Sequence, residues 1–369
     1  MPKLMFITPR IGEPPVGGRA MLSQLHLDCL RAILGERLVV HSLDPAPPSG
    51  IGGIAGALGG RIDGVTAESE AAILDAIRAQ EIGRVYLNGS NLGRLAQAIK
   101  VAEPAVEIIT FCHNVETRFF TGALRARPGP RALAVLAANH AAERMAVEAS
   151  DRLIALSRRD SEELERIHGR RATDVVPMAL EDQLDSHTPP DPRVPKGDYL
   201  LFVGGAFYAN ESGISWFAER VAPKIAIRTC IVGRGLEVAR AALEKNPNIR
   251  VVGTVERLGG WYLEAKAAIA PIFDGSGMKT KVAEALMFGK KIVGTGEAFS
   301  GYEEVAGTAG WQCDNERQFV AALNEVATTE LPRFDRTLRS LYERHYSKRA
   351  LITSLFEIVG GGQPEPEPA

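Results

Sequence analysis

The chain has 369 residues, of which 24% are charged, and its formal net charge is −2 at pH 7. That length suits about two domains, each long enough to bury a core of its own. The small net charge and the 6% aromatic content argue against a dedicated nucleic-acid binder, because such proteins usually carry a basic excess and aromatic platforms for bases.

Four cysteines lie far apart in the sequence, without a C-x-x-C pair, at Cys29, Cys112, Cys230 and Cys313. Neither a zinc site nor a disulfide framework is indicated, so we expect reduced thiols in or near the core. The opening residues lack a signal-peptide pattern, and no apolar run reaches the ~18 residues of a membrane span. We expect a cytoplasmic protein and leave open a peripheral contact at the inner face of the membrane.

In the first half of the chain, short apolar segments alternate with helical patterns. Strands are predicted at Leu4–Thr8, Leu38–Ser42, Arg84–Leu87, Val106–Cys112, Arg152–Leu156 and Val175–Met178. Helices are predicted between them at Arg19–Leu34, Ala67–Ala79, Leu92–Val101 and over the long stretch Val115–Glu148. Such alternation predicts a parallel sheet with both faces covered by helices.

The segment Glu181–Gly197 interrupts this alternation. It has four prolines in 17 residues and no periodicity, which favours an interdomain linker. Beyond it, strands are predicted at Tyr199–Val203, Thr229–Val232, Ile249–Val252, Ala268–Ile272, Lys291–Gly294 and Gly310–Gln312. Helices are predicted at Ser212–Val221, Leu236–Lys245, Arg317–Ala327, Arg336–His345 and Lys348–Val359.

These patterns predict two doubly wound, Rossmann-like α/β domains that face an interdomain cleft. The first domain is expected over 1–180, the linker over 181–197 and the second domain over 198–346. A last helix over 347–360 is expected to cross back to the first domain, and residues 361–369 are expected to form a disordered tail. Because open parallel sheets bind ligands beyond the carboxyl ends of their strands, one domain could hold a donor and the other an acceptor, which suits group transfer.

The most informative stretch is Pro271–Thr295, PIFDGSGMKTKVAEALMFGKKIVGT. An apolar strand ends there at a tight glycine turn, and the helix that follows carries Lys279, Lys281 and Glu284 in its first two turns. Glycines let the backbone approach a ligand closely, and the free N–H groups at a helix start suit an anion. A P-loop is excluded, because a methionine separates the last glycine from the first lysine. A phosphorylated ligand is therefore predicted, with a plain helix-capping turn and two solvated lysines as the alternative.

Several stretches in a fixed order carry a resemblance to a known family. They are FCHNVETRFF and DRLIALSRRDSEEL in the first half, and LLFVGGAFYANESGISWF, CIVGRG, NIRVVGTVERL and AAIAPIFDGSGMKTKVAEALMFGKKIVGT in the second. With this order and spacing, the chain resembles the GT-B glycosyltransferases and, within them, the retaining family 4 group found in bacterial polysaccharide and glycoconjugate synthesis. The resemblance implies a first domain on the acceptor side and a second domain that binds a nucleotide sugar.

Three residues take a catalytic role under this resemblance: His113, Lys279 and Lys281. His113 follows a predicted strand and would lie close to the transferred sugar, with a histidine that only bonds the backbone as the alternative. The two lysines would stabilise the negative charge that grows on the departing nucleotide diphosphate. Nearby Glu116 is expected to be solvated or to cap the next helix.

The resemblance also implies a set of donor-binding residues, most of them in glycine loops that follow strands. They are Gly17, Gly18, Gly205, Asn210, Arg234, Thr254, Gly275, Ser276, Gly277, Met278 and Glu284. Asn210 is interpreted as the N-cap of a helix that begins at Glu211, Glu284 as the ribose ligand and Thr254 as part of the loop that borders the base. The chain lacks the basic residue that many relatives place after Gly205, and it lacks the first glutamate of their E-x7-E pair. Arg234 is a further candidate for the diphosphate, with an exposed loop arginine as the alternative.

The resulting hypothesis is a hexosyltransferase that moves a sugar, with retention, from a nucleotide-diphosphate donor to a hydroxyl of a glycan or lipid-linked glycan. No metal and no other cofactor are expected, because no D-x-D triplet occurs, and no nucleic-acid partner is expected. Between His113 and Met145, five arginines stand against two glutamates, so an anionic membrane surface is a further partner to consider. A nucleotide-sugar epimerase and a non-catalytic sugar-nucleotide-binding subunit remain as alternatives.

Overall fold

The computed structural model describes residues 2–15, 17–44, 50–184 and 191–360. Its chain forms two compact units: the first runs to Met178 and resumes at Lys348, and the second spans Ala179–Ser347. Each unit contains one six-stranded parallel sheet with helices between successive strands. The predicted pair of Rossmann-like α/β domains is therefore confirmed.

The first sheet has the strand order β2-β1-β3-β4-β5-β6. Its strands are β1 (Lys3–Pro9), β2 (Leu38–Leu43), β3 (Ile82–Leu87), β4 (Glu107–Cys112), β5 (Arg152–Ala155) and β6 (Asp174–Val175). The run Leu4–Ile7 in β1 is fully shielded from solvent, as expected for a strand covered on both faces. The strand predicted at Val175–Met178 is shorter and earlier than expected.

Seven helices connect these strands. They are α1 (Gly18–Leu34), α2 (Gly50–Leu58), α3 (Ala67–Ala79), α4 (Gly93–Ala102), α5 (Glu116–Ala126), α6 (Pro130–Ala149) and α7 (Arg158–His168). The long helical stretch predicted over Val115–Glu148 consists of two helices, because the chain breaks between α5 and α6. Pro130 occupies the first turn of α6, where its missing N–H costs nothing, and Gly129 precedes it as the N-cap.

The second sheet has the strand order β12-β11-β10-β7-β8-β9. Its strands are β7 (Tyr199–Val203), β8 (Arg228–Val232), β9 (Ile249–Gly253), β10 (Ala267–Ala270), β11 (Ile292–Gly294) and β12 (Gly310–Gln312). Its helices are α8 (Tyr208–Trp216), α9 (Arg240–Leu243), α10 (Gly259–Glu264), α11 (Thr280–Met287), α12 (Glu303–Ala309), α13 (Glu316–Thr328) and α14 (Arg336–His345). The predicted helix Leu236–Lys245 is instead a 3-10 turn, Leu236–Ala239, followed by the short α9.

The last helix, α15 (Lys348–Val359), belongs to the first unit. Two arginines, one in β3 and one at the start of β5, bind its carboxyl end: Arg84 Nη1 donates to Val359 O at 2.8 Å, and Arg152 Nη1 donates to Ile358 O at 3.0 Å. Positive side chains suit this position, because the last carbonyls of a helix lack intrahelical partners and carry partial negative charge. The predicted tail, 361–369, lies outside the described residues.

Part of the predicted linker, 185–190, also lies outside the described residues. The following residues pack along the second unit: Arg193 Nη1 donates to Thr254 O at 3.4 Å, and Arg250 Nη1 donates to Arg193 O at 3.2 Å. Asp191 accepts a hydrogen bond of 3.3 Å from Trp261 Nε1. Residues 191–197 therefore run beside β9 and help to fix the loop that follows it.

Candidate active site

Three glycines line the carboxyl edge of the second sheet, where β7, β8 and β9 end. Gly204 N–H donates to Val232 O and Gly233 N–H donates to Gly253 O, both at 2.9 Å. A Cβ on Gly233 would clash with Gly204 O, and a Cβ on Gly253 would clash with the Glu237 carboxylate. Only glycine permits this close approach, so the loops after three neighbouring strands are joined through their backbones into one edge, in which Gly204 and Gly233 are half-buried and Gly253 is buried.

Asn210 joins this edge in a way that the sequence did not predict. Helix α8 begins at Tyr208, with Phe207 as its N-cap, so the prediction that Asn210 caps a helix starting at Glu211 is wrong. Asn210 is 4% exposed and lies inside the helix. Its Nδ2 donates to Gly205 O at 2.8 Å. Asn210 thereby holds the exposed Gly205 loop through its backbone carbonyl.

The glycine turn after β10 contains Gly275, Ser276 and Gly277. Gly275 and Gly277 have φ angles of 127° and 65°, which favour glycine, and Gly275 N–H bonds the Asp274 carboxylate at 2.7 Å. Both glycines and Met278 are buried, whereas Ser276 is half-buried. The turn is thus a rigid support whose backbone has little exposure of its own.

Lys279 holds this turn together. It is the N-cap residue of α11 and is only 8% exposed. Its ammonium donates to Gly277 O at 2.8 Å and to Ser276 O at 3.4 Å, and it forms an ion pair of 2.9 Å with Glu297. The charge of Lys279 is therefore already compensated within the second unit.

Lys281 points to a different set of partners. Its ammonium donates to Asn210 Oδ1 at 3.0 Å and lies 5.4 Å from the centre of the Phe202 ring. Burial lowers the pKa of Lys281 from 10.5 to about 8, against the opposing influence of Glu284. Glu284 accepts a hydrogen bond of 2.8 Å from Tyr262 Oη, and burial raises its pKa. Asn210, Lys281 and Glu284 thus form one polar group at the start of α11.

Arg234 and Thr254 occupy the loops after β8 and β9. Both are exposed, and the guanidinium of Arg234 has no hydrogen bond or ion pair with any residue that the structure describes. Glu237, which the sequence reasoning missed, binds both loops: its carboxylate accepts from Gly235 N at 2.6 Å and from Thr254 N at 3.0 Å. No spacing signal marks Glu237, because its partners are a nearby loop amide and one 17 residues away.

In the first unit, His113 follows β4 and is 4% exposed. Its Nε2 lies 3.0 Å from Asn88 Oδ1 and 3.4 Å from Ser23 Oγ. Burial, reinforced by Arg19, holds the pKa of His113 well below 6.5, so the ring is neutral at pH 7. Its Nδ1 is buried without a hydrogen-bond partner among the described residues.

The first unit also has a glycine loop, in which exposed Gly17 (φ 91°) is the N-cap of α1 and Gly18 is its first residue. Glu116, at the start of α5, was expected to be solvated or to cap that helix. It is instead 4% exposed, so the expectation of a solvated carboxyl is wrong, and burial raises its pKa to about 7. The capping role belongs to the fully buried Glu143, whose carboxylate accepts from Glu116 N at 2.6 Å and Thr117 N at 3.0 Å.

The junction of α5 and α6 carries the arginine-rich segment. Arg125, Arg127 and Arg131 are exposed, and Leu133 is 57% exposed beside them. Within the four described ranges, no helix combines the length and apolar character needed to cross a membrane. Across the same ranges, no group of three or more His, Cys, Asp or Glu side chains is arranged to hold a metal ion.

Residues 197–329 match a protein-family model described as "Glycosyl transferases group 1". This match covers most of the second unit and includes every predicted site residue from Gly205 to Glu284. No curated protein sequence matches the chain.

Solved structures similar to the whole chain share its fold. HepE of Anabaena, in a complex with UDP, has a TM-score of 0.69 at 13% identity, covering 98% of this chain and all of its own. Sucrose-phosphate synthase of Thermosynechococcus elongatus has a TM-score of 0.70 at 13% identity, covering 97% and 98% of the two chains. WaaG, a glycosyltransferase involved in lipopolysaccharide biosynthesis, has a TM-score of 0.61 at 14% identity, covering 97% and 100%. The predicted GT-B fold is confirmed.

Proposed function

We propose that the protein is a retaining glycosyltransferase that moves a hexose from a nucleotide-diphosphate donor to a hydroxyl group of a glycan or lipid-linked glycan. The family match of the second unit and a structural relative in complex with UDP support this proposal. The observation that carries it is the carboxyl edge of the second sheet. There the glycine loops after β7, β8 and β9 meet, Arg234 is exposed with no partner among the described residues, and the buried Lys281 stands in the first turn of α11, at the edge where open parallel sheets bind ligands.

The electrostatics of this edge assign different tasks to its three cations. The exposed guanidinium of Arg234 has no partner in the part of the chain that the structure describes, and it can form two parallel hydrogen bonds with phosphate oxygens. Lys281 supplies a second positive charge from the buried side, next to Glu284, which we propose as the ligand of the ribose hydroxyls. Lys279 already neutralises Glu297 and binds the glycine turn, so we propose that it supports the site by shaping that turn.

The chemistry follows from these charges. When the bond between the sugar and the diphosphate breaks, negative charge grows on the leaving phosphate, and preorganised cations stabilise that charge. With retention, a phosphate oxygen of the leaving group accepts the proton of the acceptor hydroxyl, so no strong side-chain base is needed. We propose that the reaction needs no metal, because Arg234 and Lys281 would stabilise the negative charge of the leaving diphosphate that a metal ion would otherwise stabilise. Activity that disappears with EDTA and returns with Mg²⁺ or Mn²⁺ would contradict this.

We propose that the first unit serves the acceptor. Neutral His113 can exchange hydrogen bonds with a hydroxyl group without adding charge. The exposed arginines at the junction of α5 and α6, with Leu133, suit an anionic membrane surface. Flotation with phosphatidylglycerol vesicles is expected to carry the protein upward at low salt. Flotation that is unchanged in Arg125→Ala/Arg127→Ala/Arg131→Ala, or absent in the wild type, would remove the membrane from the proposal.

Binding of UDP, GDP and ADP, followed by calorimetry, tests the donor site. We expect one of them to bind, and Arg234→Ala to weaken its binding about 10- to 100-fold, since a hydrogen bond to a charged group contributes roughly 1.5–3 kcal/mol. Arg336→Ala is the matched control: this arginine is also exposed, but its neighbour Asp335 bonds Gly289 before β11, at the opposite edge of the sheet. If none of the nucleotides binds, the proposal fails. Conversion of a nucleotide sugar into another one without any acceptor would indicate the epimerase.

A further inference from the structure

The segment 236–244 covers the open edge of the second sheet. Strand β9 is an edge strand, and such strands present backbone groups without partners. Glu244 accepts from Val251 N at 2.8 Å, Arg240 donates to Val251 O, and Glu237 accepts from Thr254 N. These three side chains recur at spacings of three and four residues, so they share one face of the segment.

Glu237 differs from the other two in having a second task. One carboxylate oxygen accepts from Thr254 N at 3.0 Å, while the other accepts from Gly235 N at 2.6 Å. The carboxylate therefore joins the loop after β8 to the loop after β9. The carboxylate fits in this position because residue 253 is a glycine: a Cβ there would clash with it. Glu244, by contrast, bonds β9 within the strand, away from the carboxyl edge.

This link fixes the place of the unpaired arginine. Arg234 directly precedes Gly235, and the Arg234 carbonyl accepts from Ala206 N at 2.9 Å. The Arg234 loop is thus held on one side by the Gly205 loop and on the other side by Glu237. Thr254 is likewise held through its N–H by Glu237 and through its carbonyl by Arg193. Loss of the Glu237 carboxylate would remove the direct link between the two loops and leave each of them held on one side only.

We propose that Glu237 is a positioning residue of the donor site, which sets the separation between the Arg234 loop and the Thr254 loop without touching the nucleotide. The inference rests on the proposed function, since it takes these two loops as the walls of the nucleotide-diphosphate site. Backbone hydrogen bonds, that of its own amide first, keep the pKa of Glu237 below its usual value, so the carboxylate that joins the loops is ionised at neutral pH.

The test compares Glu237→Gln with Glu244→Gln. A glutamine amide can accept from one backbone N–H, but its NH₂ group opposes a second one, so Glu237→Gln breaks the link while keeping the size of the side chain. Each variant removes a carboxylate that accepts a hydrogen bond from a backbone amide in or just after β9. We therefore expect both variants to lose similar stability in urea. The dissociation constant for UDP, or for whichever of UDP, GDP and ADP binds the wild type, is expected to rise at least tenfold in Glu237→Gln and less than twofold in Glu244→Gln.

Turnover separates positioning from general damage. In Glu237→Gln, the KM for the donor is expected to rise with the dissociation constant, while kcat at saturating donor stays within about threefold. Gly253→Ala keeps the glutamate but drives its carboxylate from its place, so it should reproduce the loss of affinity, and it decides the matter if Glu237→Gln does not fold. Equal losses of affinity in Glu237→Gln and Glu244→Gln, or no loss in Glu237→Gln, would overturn the inference alone. A wild type that binds none of the three nucleotides would overturn the proposed function as well.

Discussion

Replacing Lys281 with methionine is expected to make the protein more stable and at the same time a weaker nucleotide binder. The side chain is 6% exposed, and its burial lowers the pKa from 10.5 to about 8. Each unit of pKa corresponds to about 1.4 kcal/mol, so keeping this ammonium charged at pH 7 costs the folded state roughly 3 kcal/mol. Methionine has a similar length and carries no charge. Loss of the hydrogen bond to Asn210 costs about 1 kcal/mol, which leaves a net gain of roughly 2 kcal/mol.

The gain should depend on pH in a defined direction. Between about pH 8 and pH 10.5, the unfolded lysine holds its proton while the folded one loses it, so the wild type becomes more stable relative to Lys281→Met as the pH rises. Below pH 8 both states are protonated and the full cost remains. The advantage of the variant is therefore expected to fall from roughly 2 kcal/mol at pH 7 to roughly 1 kcal/mol at pH 9.

Urea denaturation at pH 7 and pH 9 measures the change in stability of Lys281→Met, and calorimetry with UDP measures the change in its affinity. Affinity is expected to fall at least tenfold, since a buried cation facing a diphosphate contributes roughly 1.5–3 kcal/mol. Lys290→Met is the matched control. Burial also lowers the pKa of Lys290 to about 8, but its ammonium donates to Leu263 O at 2.8 Å and Ala265 O at 2.7 Å. By the same reckoning, removing this charge recovers roughly 3 kcal/mol and loses two hydrogen bonds of about 1 kcal/mol each, so the control should gain only roughly 1 kcal/mol of stability and keep its affinity for UDP.

Three outcomes would refute the reasoning. If Lys281→Met loses stability, the ammonium of Lys281 is a structural group rather than one kept for a ligand. If its stability advantage does not shrink at pH 9, burial of a charge is not the cause. If its affinity for UDP equals that of the wild type, Lys281 has no part in donor binding, and Arg234 carries the diphosphate alone.

Two further predictions concern the first unit. Arg152→Ala removes the bond to Ile358 O together with an ion pair to Asp174, so the free energy of unfolding in urea should fall by about 1–3 kcal/mol; an unchanged value would mean that these two contacts contribute nothing to stability. Glu116→Gln removes a carboxyl whose pKa rises from 4.5 to about 7 on folding. Between those pH values the folded state binds more protons and the wild type loses stability as the pH rises, so the variant should be nearly equal to it at pH 4.5 and more stable by roughly 3 kcal/mol at pH 8. A difference that is constant across this range would contradict the burial of Glu116.

The sequence predicted correctly the helices whose ends are set by capping residues nearby in the chain. Ala67–Ala79 is correct to the residue, since Thr66 and Ser69 form a capping box at its start. Arg336–His345 is also correct, because the Asp335 side chain accepts from two amides of its first turn. The break between α5 and α6 also has a local signal, because the Pro-Gly-Pro sequence at 128–130 ends one helix and begins the next within a continuous apolar pattern.

The place of the candidate site was predictable for the same reason. Glycine loops that follow apolar strands come together at the carboxyl edge of a parallel sheet, whatever the intervening sequence. The hydrogen bonds and ion pairs of its polar residues could not be predicted, because the partners are distant along the chain. Asn210 looks like an N-cap in its own sequence, yet its amide joins the Gly205 loop to Lys281, which is 71 residues away.

The same limit applies to the relative importance of the three cations. In the sequence, Lys279 and Lys281 are two lysines in one helix start, and Arg234 is a loop arginine with no distinguishing context. Contacts with distant residues distinguish them. Glu297 compensates Lys279, and burial beside Asn210 makes Lys281 costly to keep charged. Arg234 is exposed, and none of the described residues pairs with its charge. A bound diphosphate would stabilise an exposed cation such as Arg234 and a cation whose burial disfavours its charge, such as Lys281. Lys279 is already paired with a carboxylate and would gain little from the diphosphate. The donor site should therefore respond most strongly to changes at Arg234 and Lys281, and changes at Lys279 should act through the shape of the glycine turn.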